Sequence, residues 1–388
     1  MADYDNHGGK VPMNYKTSAI AGAAITLLGS DLLNEDASAQ NWGDSSLRTE
    51  SAPSETPSDV APVTATPTEP ATDEESTSLQ GRAEMQTGDA YLMGTPTSPV
   101  RLTGGLFYQT PRDGDWESKT FQGSMRLSLD LSDRVTLGGI FGAAHLFEDA
   151  EVKPNNKLTL ANAGLLVGLS LGEDAYIEGG LNMNRHWYRG QQHINAWGLD
   201  FLLNANFQSG NNLFGGSLAI NIPGEFSGEL KAYDDETGDH IGSLQLRDWE
   251  DDLKYERLAL GFNFEHDFGK LGLVANANWE YTRFEDMIKS DMLDLMVGLP
   301  IKTELADGRL VMMPYGGWRH EEQQDELNDD VSVANALYLG ANATWMPGKI
   351  GVYGDVRLES GLQGDTYLMP TLGLVYRFGY ANNGNTDE

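Results

Sequence analysis

Thr371-Leu372-Gly373-Leu374-Val375-Tyr376-Arg377-Phe378 decides how the rest of this chain is read. Taken every second residue, Leu372, Leu374, Tyr376 and Phe378 fall on one side, and Thr371, Gly373, Val375 and Arg377 on the other. Successive side chains of a strand point to opposite faces, so the period predicts a β-strand. One face is apolar and ends in two aromatics, which suits a boundary between hydrocarbon and water. The other is small or polar, which suits a wet interior.

The same stretch carries a resemblance. Polar-x-Gly-x-x-aromatic-x-aromatic, matched by Thr371, Gly373, Tyr376 and Phe378, resembles the C-terminal assembly signal of Gram-negative outer-membrane β-barrels. In that family the last Phe usually ends the chain, whereas here residues 379–388 follow. The resemblance implies a transmembrane up-and-down barrel, recognised by the barrel assembly machinery and surrounded by outer-membrane lipid. The competing reading of the stretch is the edge strand of an acidic soluble β-protein.

Composition narrows the function classes. The chain has 388 residues, with Lys+Arg 26 and Asp+Glu 58, a net charge of −32. A nucleic-acid binder needs a cationic face to displace counterions, so nucleic acid is not an expected partner. Cysteine is absent, which removes disulfides, thiolate metal sites and a cysteine nucleophile. Mean hydropathy is −0.40 and no run of about 18 apolar residues occurs, so no transmembrane helix is expected. A transmembrane barrel passes that filter, because only alternate residues face lipid.

Going back towards the start, the alternating texture extends to about residue 100. Fourteen segments can be drawn: 100–110, 119–131, 134–147, 157–171, 175–188, 194–207, 213–222, 254–267, 271–284, 291–304, 309–319, 331–345, 350–359 and 367–379. In the sixth, Trp197, Leu199, Phe201, Leu203, Ala205 and Phe207 oppose Gly198, Asp200, Leu202, Asn204 and Asn206. Connections alternate between short turns and longer polar loops, the pattern of short periplasmic turns and long outer loops with both termini in the periplasm. If 226–233 and 241–248 also cross, the number becomes sixteen. Fourteen is preferred, because those two alternate poorly and have Asp234, Asp235, Glu236 and Asp239 between them. Tyr108, Trp187, Trp197, Trp279, Tyr281, Trp318, Trp345, Tyr376 and Phe378 fall near segment ends, as interfacial aromatics do.

Residues 1–39 read as a leader: Lys10 and Lys16 precede an apolar run, 19–28, and Ala37-Ser38-Ala39 resembles a signal-peptidase site. Residues 40–97 read as a disordered acidic linker. Between 51 and 80 lie five prolines, many Ser and Thr, and six Asp or Glu with no Lys or Arg, a composition that cannot offset the entropy of ordering. The barrel is expected over 98–379, with a polar tail at 380–388.

The polar faces supply the site candidates. Arg126, Asp130, Arg134, Glu178, Asp200, Arg257, Glu265, Asp267, Glu280, Asp294, Lys302, Glu304, Arg309, Arg319, Asp355, Arg357, Glu359 and Arg377 are expected to line the lumen, where charge can set ion selectivity. Loops rich in Asp and Glu around 234–252 and 321–330 suit cations or plain solvation. His145, His186, His193 and His320 sit at loop bases, in no metal-ligand spacing. Gly168-Leu169-Ser170-Leu171-Gly172 has the form of a nucleophile elbow but is expected to close a strand, with no helix after it. No catalytic group, metal or cofactor is therefore expected. The function expected is a porin-like outer-membrane channel for passive movement of small polar solutes or ions, with a preference for cations. The alternatives are a surface-binding or structural barrel and a barrel enzyme.

Overall fold

The computed structural model describes residues 97–380, apart from 111, 114–115, 149–155, 173, 190–191, 223–225, 234–239, 246–254, 285–287, 307, 326–329 and 362–365. The leader, nearly all of the linker and the tail after Tyr380 lie outside the described residues. The described chain is all β: β1 (Val100–Gln109), β2 (Arg112–Asp113), β3 (Trp116–Ser132), β4 (Val135–Glu148), β5 (Asn156–Ser170), β6 (Ala175–Arg189), β7 (Gln192–Ser209), β8 (Asn212–Ile222), β9 (Phe226–Tyr233), β10 (His240–Gln245), β11 (Tyr255–Asp267), β12 (Gly272–Phe284), β13 (Ile288–Gly298), β14 (Ile301–Leu305), β15 (Gly308–Asp325), β16 (Asp330–Met346), β17 (Ile350–Gly361) and β18 (Thr366–Phe378).

Antiparallel pairing runs from each wall strand to the next, and β1 closes the ring on β18, with Leu102 opposite Phe378 and Gln109 opposite Thr371. The result is a closed barrel of fourteen wall strands, β14 being the continuation of β13. Closure pairs the backbone of the wall without leaving an edge, the condition for a sheet to sit in lipid. β9 and β10 do not cross. They form a hairpin, and β9 pairs with the first residues of β7, Gln192–Ala196, beyond the point where β8 begins to pair at Leu199. The sixteen-strand alternative is thereby set aside.

The tight turns gather at one end with Thr97 and Tyr380, called here the terminus end. The longer connections gather at the other, the loop end. Several strands run further towards the loop end than the alternation suggests. β15 continues to Asp325, pairing Gln323 with Ser332, where the sequence reads as an acidic loop. Such extensions carry polar residues on both faces, so no hydrophobic period marks them. The tenth segment is two strands, because Pro300 has no N–H to give the ladder.

Alternation sets the two faces. Leu339 is 70% exposed, Leu165 67% and Leu372 66%, and all lie on the outside. A soluble sandwich would bury such a face under a second sheet, and here the sheet has closed on itself. Along β7 the outward Trp197 and Phe207 are ten positions apart. At ~3.3 Å per residue and a tilt of about 40°, that is roughly 25 Å, the height of a lipid-facing band. Aromatics gather at both levels: Tyr108, Phe121, Phe147 and His145 contact one another near the loop end, and Phe207, Phe214 and Phe264 near the terminus end.

The inner face needs glycine where a ring lies flat on the wall. Tyr315 pairs with Gly340 and Tyr338 with Gly317 on neighbouring strands, so each ring lies over the glycine opposite. A Cβ on either glycine would fall inside the facing ring.

Candidate functional site: the inner wall

The strands that bury Ile140, Leu166 and Leu202 on their inner side also carry charged groups there. Every one of Arg126, Asp130, Glu178, Asp200, Arg257, Glu265, Glu280, Asp294, Arg309, Arg319, Asp355, Arg357 and Arg377 sits on the inward register. Three groupings result.

On the β3–β8 side, Arg126 on β3 reaches Glu178 on β6, three strands along the wall, with one hydrogen bond of 3.0 Å and a second, shorter one. Both side chains are 1% exposed. Tyr176 lies beside them, its hydroxyl donating to Glu178 at 3.3 Å, and it occupies the space over Gly168 that a Cβ would fill. Nearby, Asp200 accepts from Asn221 at 2.8 Å and from Asn184, while the Arg257 guanidinium stands 4.0 Å away. Arg257 in turn makes a fork on Glu280, at 2.9 and 3.1 Å. Planar forks of this kind match carboxylate geometry and hold the guanidinium in one orientation.

On the β13–β17 side, Asp294 accepts from Arg319 at 3.1 Å and from the Tyr338 hydroxyl at 2.5 Å. Arg357 lies over the Tyr338 ring, 3.9 Å from its centroid, and donates to Glu359 at 2.5 Å. The Tyr315 hydroxyl spans both oxygens of Asp355, at 3.0 and 3.1 Å. In these two groupings four guanidiniums meet six carboxylates, a formal excess of two negative charges among the described residues.

The third grouping lies at the terminus end. Arg101 makes two hydrogen bonds to Asp130, the longer 2.6 Å, and Lys302 lies 3.3 Å from Asp267. Glu304 faces Arg309 across β14 and β15, and Glu265 and Arg377 are buried at the same level. Here positive and negative groups balance.

The sequence does not single out Tyr176, Tyr315, Tyr338 or the asparagines around Asp200. The tyrosines have a sequence signal, a glycine at the paired position, but it appears only once the register is known. The histidines do not gather. His145 bonds Thr159 at 2.7 Å, His320 stacks on Trp318 and bonds Asn335, and His186 faces inward on β6. Among the described residues no group of three or more His, Asp or Glu is placed to hold a metal. Ser170 ends β5 and is followed by a turn and another strand, so the strand-to-helix elbow its motif requires is not formed. Thr371, Gly373 and Arg377 face inward and Tyr376 and Phe378 outward, with the Tyr376 hydroxyl donating to the Ser124 carbonyl at 3.1 Å.

No protein-family model matches the chain, and no curated protein matches it. Among solved structures it is similar to the CymD monoaromatic hydrocarbon channel, 9% identical, covering 74% of this chain and 90% of that one, TM-score 0.51. It is also similar to a Pseudomonas aeruginosa FadL homologue (8% identical, 73% and 90% covered, TM-score 0.46) and to OmpT, an outer membrane protein of Vibrio cholerae (9% identical, 72% and 97% covered, TM-score 0.41). At these identities the likeness bears on fold alone. The fold, a closed antiparallel ring with an exposed apolar band, is that of the transmembrane β-barrels.

Proposed function

We propose that this chain is an outer-membrane channel through which small polar solutes or ions pass down their gradients, with a preference for cations. The observation that carries the reading is the inner wall, where fixed Arg–carboxylate groups hold a formal excess of negative charge at mid-height. Rings of one sign raise the local concentration of the opposite ion and set selectivity. The short turns beside the termini support a periplasmic N-terminus, since bacterial barrels keep their short turns on that side. Thr371, Gly373, Tyr376 and Phe378 would then be read by the assembly machinery, and the outer Leu and aromatic band would meet lipid.

The test is a planar bilayer recording of the full chain with a salt gradient across the membrane. Discrete current steps are expected, with a reversal potential on the cation-selective side. Absence of conductance at every voltage removes the channel, and a reversal potential on the anion side removes the stated preference.

A further inference from the structure

We propose that the outward faces of β3 to β6, at the loop end, form a binding site for the anionic phosphate headgroups of membrane lipid. Lys119, Phe147, Lys157 and Arg189 stand side by side on these four consecutive strands. Arg185 lies on the same face of β6, four positions nearer mid-height. All four cations are exposed, and they share their register with the outward Phe121, Phe141, Leu165 and Leu181. From Lys119 onward the outward registers of β3 to β6 hold no Asp or Glu, in a chain that has 58 of them. Glu117 stands one step nearer the loop end, opposite Arg112.

Lys157 and Arg189 are directly opposite each other. Like charges in that position destabilise a sheet unless an anion lies between them. A second like-charged pair, Arg283 opposite Lys289 on β12 and β13, also faces outward at the loop end, and there Glu256 of β11 stands opposite Arg283. That pair has a carboxylate from this chain beside it. Among the described residues the outward registers around Lys157 and Arg189 offer none, so the anion comes from outside the chain. The height suits a headgroup. Arg185 pairs with Trp197, at the loop-side edge of the lipid-facing band. Arg189 is four residues further, ~10 Å higher for strands of this rise and tilt. Between these levels the cations lie against aromatic rings. The Arg185 guanidinium is 4.9 Å from the centroid of Trp187, and the Lys157 ammonium 5.8 Å from that of Phe147. Basic side chains that lay their stems along an apolar surface keep their charged heads at the level of the lipid phosphates. Both groups donate charge-assisted hydrogen bonds to phosphate oxygens.

The test uses the full chain in dodecyl maltoside, with native mass spectrometry reading the retention of added phosphatidic acid, phosphatidylcholine or inorganic phosphate. Phosphatidic acid is expected to be retained roughly tenfold or more over phosphatidylcholine. Lys157→Gln with Arg189→Gln should remove most of that excess, and Arg283→Gln with Lys289→Gln should leave it. Equal retention of the two lipids, an unchanged excess in the first variant or an equal loss in the second would overturn the proposal. Retention of inorganic phosphate as strong as that of phosphatidic acid would overturn the lipid as its source. Urea unfolding from vesicles gives a second reading. Lys157→Gln should raise the midpoint in pure phosphatidylcholine, where it relieves repulsion, and lower it once phosphatidic acid is included. A shift of the same sign in both would also overturn the proposal. If the double variant does not fold, Lys157→Gln alone is judged on both readings. The site rests on the membrane-spanning fold and neither reading involves conductance, so this proposal and the channel assignment fail separately.

Discussion

Two ion pairs inside one barrel are built in opposite ways. Arg126 and Glu178 come from strands three apart and are both 1% exposed. Arg319 and Asp294 are direct neighbours across β13 and β15, and Arg319 is 31% exposed. The first has given up water and depends on its fork and on Tyr176 to replace it. The second keeps part of its hydration. Removing a charge therefore costs stability on the β3–β8 side, whereas on the β13–β17 side it mainly changes what a passing ion meets.

The largest effect is expected from Arg126→Met. It leaves the Glu178 carboxylate buried without its partner, at a cost of about 3–5 kcal/mol in urea unfolding from lipid vesicles. The double variant Arg126→Met with Glu178→Leu should recover most of that loss, because no charge is then stranded. A single-variant loss below about 1 kcal/mol would mean the pair is hydrated, and the contrast between the two sides would collapse.

The contrast was only half legible in the sequence. Period two placed Arg126, Glu178, Arg319 and Asp294 on the polar face, because a register error of one residue would turn the whole apolar face of a strand inward. The strand number followed from the same constraint repeated around the ring. Which charges meet was not legible, since Arg126 and Glu178 are brought together by stagger and curvature across β4 and β5. Nor was the upper half of β15, where Glu321 to Asp325 form a strand wetted on both faces and so lack any apolar alternation. The tyrosine–glycine exchange between β15 and β16 stayed hidden for a third reason: a glycine in a strand signals close approach without saying what approaches.

That exchange gives the next effect in size. Gly317→Ala puts a methyl group where the Tyr338 ring lies, and should cost about 1–3 kcal/mol by overpacking. Gly179→Ala is the control. Its Cβ would face outward, at an ordinary 3.5 Å from the Leu202 carbonyl oxygen, and should change stability little. Equal losses at the two sites would show that glycine serves backbone bending here and not the seating of Tyr338.

The smallest change in stability and the clearest change in transport are expected at the half-exposed pair. Arg319→Gln should alter unfolding by only about 0–1 kcal/mol, since a pair with one partner in water gains little net energy. Asp294 keeps the Tyr338 hydroxyl as a donor, so its carboxylate is not stranded. With one positive charge gone, the carboxylate excess on the wall grows and the reversal potential should move further to the cation side. Asp294→Asn should move it the other way, with the Arg319 guanidinium still 4.0 Å from Glu359. If both substitutions shift the potential in the same direction, charge at this station does not set selectivity. If neither shifts it while Arg126→Met does, the conducting path runs along the β3–β8 wall, opposite to the assignment made from exposure.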